Sequence, residues 1–144
     1  MRFNVTLRAG LALALVVLSG ATFAQTSTSA LSSGLGQAWP NVADQSLSPN
    51  WHAYVFTLGG VEYVQINDVN GNVQGAVGTA GGTQFVLPMG ANAQNVIANA
   101  SVSNASNATT VYQDANITIL AVPSARGVTL ESTCGSSVQC QGGH

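Results

Sequence analysis

His52 is the residue best suited by type to general acid–base catalysis. It lies between Trp51 and Ala53 in an aromatic, β-branched stretch. A histidine base needs an orienting carboxylate, and Glu62 or Asp68 on a paired strand is what the sequence offers. The serines do not stand in a Gly-x-Ser-x-Gly elbow. A lone histidine on a strand is usually structural. We therefore predict no catalytic residue and keep a small periplasmic hydrolase using His52 as an alternative function.

Cys134 and Cys140 are the only cysteines and stand close together near the C-terminus. In an exported chain such a pair is most simply a disulfide. Together with His144 the same residues give Cys-x5-Cys-x3-His, whose donors suit zinc or copper(I). A fourth ligand is not nearby, and exported cysteines oxidise. We predict a disulfide, no metal and no cofactor, with metal capture by the tail as a further alternative.

Asp68, Asn70 and Asn72 place oxygen-bearing side chains at alternate positions, as at the start of an EF-hand calcium loop. Such a loop needs glycine at its sixth position and glutamate at its twelfth, where this chain has Val73 and Thr79. A hairpin turn at Asn-Gly accounts for the same residues without an ion. The sequence therefore predicts a turn here and not a calcium site.

Most aromatic residues of the chain beyond position 25 are concentrated between positions 39 and 63. Tyr54 and Phe56 alternate with other apolar residues and are predicted to be core. Trp39, Trp51 and Tyr63 are the predicted binding residues, because an accessible Trp or Tyr can stack on a sugar ring or anchor a protein partner.

The N-terminus has the three parts of an export signal. Arg2 and Arg8 precede the apolar run 9–18, and small residues end at Ala24. That run is shorter than the roughly 20 apolar residues that span a bilayer. We predict a signal peptide over 1–24, cleavage before Gln25, and a mature chain that is periplasmic or extracellular without a membrane anchor.

Charge is scarce in the predicted mature chain. It has no lysine, one arginine and five acids, a formal net charge of −4. Binding to nucleic acid needs clustered Lys and Arg, and so does electrostatic docking on an anionic membrane, so both classes are excluded. The surface polarity comes from Asn, Gln, Ser and Thr. It suits a protein partner, a neutral polar ligand or another copy of the chain.

Short β-branched and aromatic runs separated by glycine-rich turns predict an all-β fold, a small antiparallel sandwich or barrel of about six or seven strands. Gly59-Gly60 and Asn70-Gly71 are predicted as two-residue hairpin turns of one kind. The first strand is apolar on both faces and is predicted to be central. A short helix is predicted over 42–47, and an Asn-Ala-rich loop or irregular strand over 92–110. The predicted strands are 51–58, 61–69, 72–77, 83–87, 109–113, 116–122 and 127–131.

The predicted organisation has four parts. A signal peptide at 1–24 precedes a flexible leader and loop at 25–50, a β-rich domain at 51–131 and a Cys-bearing tail at 132–144. Together with the missing catalytic set, this predicts an exported non-enzymatic β-domain that acts by contact. It would be a structural subunit of a surface assembly or a small binding module.

The cysteine pair gives the first testable prediction. Mass analysis of non-reduced exported protein should find Cys134 and Cys140 joined within one chain. Because the closed loop is short, replacing both with Ser should cost at most about 2–3 kcal/mol of unfolding free energy. Two free thiols holding a stoichiometric metal with His144 would contradict the prediction.

Overall fold

A computed structural model describes residues 34–100 and 106–135 of the chain. The predicted signal peptide, Cys140, His144 and Asn104 lie outside these residues. The described part is predominantly β, as the sequence predicted, and no helix in it is long and apolar enough to cross a membrane. Its strands are β1 Trp51–Leu58, β2 Val61–Asp68, β3 Val73–Ala80, β4 Thr83–Leu87, β5 Val96–Ile97, β6 Thr109–Gln113, β7 Ile117–Ser124 and β8 Gly127–Cys134, with one 3₁₀ turn at Ala93–Asn95.

The strands form two four-stranded sheets. The first has the order β1-β2-β3-β4 and the second β5-β8-β7-β6. All neighbouring pairs are antiparallel except β5 and β8, which run parallel. The two-residue strand β5 raises the number of described strands above the six or seven predicted.

The core lies between the two sheets. Side chains alternate along each strand, so every second residue points inward. The inward residues of both sheets form one buried cluster, with Trp51, Val55, Val86 and Val128 packed at its margin. Its members are Ala53, Val64, Ile66, Val77, Val96, Val111, Tyr112, Ile117, Ile119, Ala121 and Leu130.

Two hairpins in the first sheet have turns of two glycines. Gly59 and Gly60 join β1 to β2 with φ of 57° and 80°, as predicted, and Gly81 and Gly82 join β3 to β4 with φ of 56° and 82°. The prediction that β3 stops at Val77 is wrong. Gly78 is a strand residue beneath the ring of Phe85, where a Cβ would fall 2.3 Å from the ring. This glycine allows close packing and does not make a turn.

The β2–β3 hairpin turns over three residues, not two. The Asp68 amide donates to Asn72 O and the Gly71 amide to Asp68 O, both at 3.0 Å. Gly71 alone takes the left-handed conformation, with φ of 83°. The hairpin is confirmed, but it differs in kind from the Gly59-Gly60 turn. The Asp68 carboxylate stabilises the three-residue turn, because it accepts the amides of Asn70 and Asn72 at 2.9 Å.

Strand β1 is at the edge of its sheet, so the prediction of a central strand is wrong. Both of its faces are nevertheless covered, since Ala53 is buried on the inner face and Tyr54 and Phe56 on the outer. A strand that is apolar on both faces indicates that both faces are covered. It does not indicate which segments lie beside the strand within the sheet.

The segment alongside β1 is the one predicted as a helix over 42–47, and it is extended. Asp44 pairs with Tyr54 as an isolated antiparallel bridge. The Gln45 amide donates to Ala53 O at 2.8 Å, and the Leu47 amide donates to Val111 O of β6 at 2.7 Å. The helix prediction failed because the exposed carbonyls of two strand edges take these N–H groups. The segment thereby joins the two sheets.

In the second sheet, β7 and β8 run further than predicted. Strand β7 continues through Pro123, which pairs with Val128 of β8, whereas β6 accompanies β7 only as far as Ala121. A strand with one neighbour tolerates proline, because no ladder bond is lost on the open side. Strand β8 extends to Cys134, opposite Ile117.

The Asn-Ala-rich segment crosses from the first sheet to the second through specific amide contacts. Asn92 Nδ2 donates to Val128 O at 2.6 Å. Asn99 takes a left-handed φ of 54°, and its amide and side chain donate to Gln84 at 3.3 Å. Gln84 is buried, and it also accepts Ser132 Oγ at 2.7 Å and donates to Thr133 O at 3.1 Å. Gln84 therefore ties β4 to β8.

Two more amide side chains are buried on the outer face of β2. Gln65 accepts the Gly36 amide at 2.6 Å and donates to Gln37 O at 2.8 Å. Asn67 donates to Ala38 O at 2.7 Å and to Gly71 O at 3.2 Å. These bonds hold residues 34–40 against the first sheet.

Asn67 gives the second prediction. Asn67→Ala should lower the free energy of unfolding by about 2–4 kcal/mol, because Ala38 O and Gly71 O each lose a buried donor. Asn72→Ala is the matched control, since Asn72 is exposed, and it should cost at most about 1 kcal/mol. Urea unfolding of both variants checks this, and equal losses would contradict it.

Candidate functional site

Trp39 is the most prominent aromatic residue on the described surface. The residue is 59% exposed. Its indole nevertheless lies directly on the β2–β3 turn, where a Cβ at Gly71 would come within 2.6 Å of the ring. A second side of the indole meets the His52 ring edge to face, with centroids 5.3 Å apart. The indole is therefore fixed by its neighbours while much of it stays open to solvent.

His52 is held by a carboxylate that the sequence did not single out. Its Nδ1 lies 2.7 Å from Asp44 Oδ2, and the Tyr54 ring stacks on it with centroids 6.1 Å apart. Asp44 Oδ1 also accepts the amides of Ser46 and Ala53 at 2.9 Å. The expectation that Glu62 or Asp68 would orient His52 is wrong. Asp44 reaches it because its segment runs along the edge of β1, which the sequence did not reveal.

The electrostatics of Asp44 fix the imidazole. Partial burial by itself would raise the pKa of Asp44, but the hydrogen bond with His52 and the two amides outweigh it and lower that pKa. The carboxylate is therefore ionised and accepts the hydrogen on Nδ1. We call Trp39, Asp44, His52, Tyr54 and Gly71 the Trp39 cluster. It is a row of three rings backed by one carboxylate, with Trp39 as its most exposed member.

The structure does not bring the three predicted binding residues together. Trp51 lies on the inner face of β1 and packs against the core. Tyr63 lies on the outer face of β2, opposite Phe56 and away from the Trp39 end. Its ring meets that of Phe85 edge to face at 6.3 Å, and Phe85 is 40% exposed. Phe85 was missed, although its cross-strand glycine partner Gly78 is a signal for an aromatic ring lying over the sheet.

Two carboxyl groups lie at the other end of the sandwich. Glu62 points inward from β2 between Thr57 and Thr79, and Asp114 lies in the β6–β7 turn, where its negative charge acts on Glu62. We call Glu62 and Asp114 the carboxyl pair. Glu62 lines a cavity of about 330 Å³, whose other lining residues are Thr57, Gly60, Thr79, Ala80, Gly81, Gly82 and Asn116.

The two members of the carboxyl pair have opposite surroundings. Burial and the negative charge of Asp114 raise the pKa of Glu62. Burial would also raise the pKa of Asp114, but the amides of Ile117 and Asn116 and the Tyr112 hydroxyl lower it. Burial and the Asp114 contact raise the pKa of Tyr112. Of the two, Glu62 is therefore the carboxyl that loses its proton at the higher pH.

Only one of the two cysteines of the predicted disulfide lies within the described residues. Cys134 ends β8, and Cys140 and His144 lie outside the described residues. The disulfide and the alternative metal set both remain predictions. Within the described residues no group of three or more His, Cys, Asp or Glu side chains is arranged to hold a metal ion.

Comparison of the chain with protein-family models, with characterised proteins and with solved structures found no match.

The packing of Trp39 on Gly71 gives the third prediction. Gly71→Ala should cost about 1–3 kcal/mol more than Gly59→Ala. Both glycines have positive φ, but nothing lies within 4 Å of a Cβ at Gly59. In a Trp51→Phe background, which leaves Trp39 as the fluorophore in the predicted mature chain, only Gly71→Ala should shift the emission maximum. Unchanged emission would show that Trp39 does not rest on the turn.

Proposed function

We propose that the chain is an exported, non-enzymatic β-domain that acts by contact, and that the Trp39 cluster is its contact surface. The observation that carries this is the combination of exposure and fixed position at Trp39. The residue is 59% exposed, yet Gly71 and His52 hold the indole on two sides. A single exposed apolar residue needs no explanation. An exposed indole for which the backbone makes room is unusual for a purely structural residue.

A fixed indole is well suited to binding. Ordering a side chain on association costs about 0.5–1.5 kcal/mol, and a side chain already held in place avoids much of that cost. Trp is also among the residues that most often dominate binding energy. The cluster therefore offers a large apolar face whose side chains lose little conformational entropy when a ligand binds.

The polar part of the cluster favours a neutral polar ligand, and we propose that this ligand is a saccharide. A sugar ring presents a C–H face that stacks on an indole and hydroxyl groups that hydrogen-bond to a carboxylate or an imidazole. His52 lies beside the indole, and Asp44 holds the imidazole by accepting its Nδ1 hydrogen. The scarcity of charge argues against a partner attracted over long distance. In this proposal the chain is a small binding module outside the cytoplasm.

A specific observation favours hydrolysis at His52 as a second candidate. The contact of 2.7 Å between Asp44 Oδ2 and His52 Nδ1 is the geometry of an oriented general base. A nucleophile or an activated water would complete it. The two functions differ in whether a substrate is cleaved: His52→Gln should abolish hydrolysis, whereas a contact function cleaves no oligosaccharide with either residue at position 52.

The fourth prediction tests the contact function. Protein from the exported fraction, its N-terminus read by mass spectrometry, is titrated with cellohexaose, maltohexaose and chitohexaose by calorimetry. At least one should bind, and Trp39→Ala should weaken that binding tenfold or more, a loss of about 1.4 kcal/mol. Leu47→Ala is the matched control, since Leu47 is 61% exposed and lies outside the cluster. It should bind as the unmodified chain does.

Three outcomes would contradict the proposal in different ways. Binding that survives Trp39→Ala would place the contact surface elsewhere. Reversible self-association lost in Trp39→Ala, without saccharide binding, would replace the ligand with another copy of the chain. Cleavage of an oligosaccharide, abolished by His52→Gln, would establish the hydrolase instead.

A further inference from the structure

The two lateral sides of the sandwich differ in how their strand edges are covered. On one side β1 and β6 are both hydrogen-bonded to the segment 44–47, which lies between them. On the other side β4 is the edge of the first sheet. An exposed edge presents unpaired N–H and C=O groups, and proteins usually cover it or place a charged residue or a proline within it. Strand β4 contains neither.

The register of the β3–β4 hairpin determines which backbone groups of β4 point away from the sheet. The two-glycine turn makes Thr83 and its partner in β3 the closing pair, which exchanges both hydrogen bonds. Bonded and non-bonded pairs then alternate along the strand. Phe85 and Leu87 therefore direct their N–H and C=O groups toward β3, whereas Gln84 and Val86 direct theirs outward.

Val86 is the residue of β4 whose outward groups are both open. Gln84 O accepts Asn99 Nδ2 at 3.3 Å, a contact made from outside the ladder that agrees with the outward orientation. Pro88, which follows the strand, has no N–H to donate. Among the described residues the outward N–H and C=O of Val86 have no hydrogen-bond partner. A strand beside β4 can therefore both donate and accept only at Val86.

The side chains on either side of Val86 provide an apolar contact on the outer face of the sheet. Phe85 is 40% exposed, with its ring lying over Gly78. Leu87 lies on the same face and is half-buried. If Val86 faces an identical Val86 in an antiparallel pair, Phe85 of each strand lies opposite Leu87 of the other. These are non-hydrogen-bonded positions, where side chains of neighbouring strands come closest.

We propose that β4 pairs antiparallel with β4 of a second copy of the chain, with the two-fold axis at Val86, so that the two first sheets form one sheet of eight strands. Val86 N–H donates to the carbonyl of the partner's Val86 and its own carbonyl accepts in return. The edge is thus its own complement, as a two-fold interface requires. Strand β4 carries no charge, so identical strands do not repel each other.

The geometry sets the size and strength of this assembly. A two-fold interface uses the same edge of both copies, so pairing stops at a dimer and does not continue into a fibre. One residue of each copy exchanges hydrogen bonds, so the contact is smaller than a standard protein interface and should be reversible. The residues of the Trp39 cluster do not belong to β4. Dimerisation and saccharide binding therefore use different surfaces.

The fifth prediction tests the dimer by sedimentation equilibrium of the exported protein from micromolar to millimolar concentration. The unmodified chain should show monomer and dimer without larger species. Val86→Pro should weaken dimerisation about tenfold or more, because it removes the outward N–H without removing a bond to β3. Val86→Ala is the matched control, since it keeps the N–H, and it should dimerise as the unmodified chain does. Trp39→Ala should do the same.

Three results would overturn the proposal. These are a chain that stays monomeric throughout, equal dimerisation of Val86→Pro and Val86→Ala, and self-association that Trp39→Ala abolishes. The last would place the contact at the Trp39 cluster instead.

Amide hydrogen exchange of the unmodified chain tests the same pairing without any substitution. In dilute protein the Val86 amide should exchange faster than the Phe85 amide, because only the latter is bonded to β3. In concentrated protein Val86 exchange should slow about tenfold or more while Phe85 exchange changes little. A Val86 rate that does not depend on concentration would overturn the proposal. Because no saccharide is present, the dimer and the contact function fail independently.

Discussion

Buried side-chain amides bonded to distant backbone groups are the interaction on which this structure depends. The chain has few charges and small sheets, so distant segments must be fixed by other means. A neutral amide loses less than an ion on burial and offers both a donor and an acceptor. Gln65 fixes residues 36 and 37 against β2, and Gln84 fixes β4 against β8. Each such bond also commits the structure to one arrangement, because an unmade buried bond costs about 1–3 kcal/mol.

The Trp39 cluster is a consequence of one of these amides. Asn67 Nδ2 donates to Ala38 O, the residue before Trp39, and to Gly71 O, the residue on which the indole rests. A single amide therefore sets the distance between the two backbone segments that meet at the indole. The side chain that determines the candidate surface is itself buried and takes no part in it.

Features set by neighbouring residues were predictable from the sequence. The glycine turn at 59–60 and the bounds of β1, β4 and β6 follow from local conformational freedom and from alternation of apolar residues. The all-β class and the exposed Trp39 were predictable in the same way. Gln65 and Asn67 were not, because a polar residue within a strand ordinarily indicates a solvent-facing side. Gln65 and Asn67 are buried only because residues 34–40 fold over them.

Features that depend on which distant segments pack side by side were not predictable. The edge position of β1, the extended 42–47 segment and the partnership of Asp44 with His52 all depend on residues 44–47 lying between β1 and β6. The carboxyl pair is of the same kind. Glu62 ends an apolar strand face and Asp114 occupies a turn, and each position alone indicates an ordinary exposed carboxylate. Only the packing of the two sheets brings them near enough to influence each other's pKa.

The absence of lysine explains why the two ends of the sandwich differ. Near the half-buried Glu62 the described residues offer a second acid, Asp114, and no cation, and the pKa of Glu62 is raised. The opposite end is held by Asn67 and by Asp44, whose lowered pKa keeps it ionised in mild acid and above. The amide of Asn67 does not titrate, whereas the raised pKa of Glu62 and the lowered pKa of Asp114 separate the ionisation of the two acids at the cavity end. A scarcity of charged residues thus leaves two acids without a basic partner among the described residues at one end of the fold, while buried amides supply the hydrogen bonds that fix distant segments at both ends.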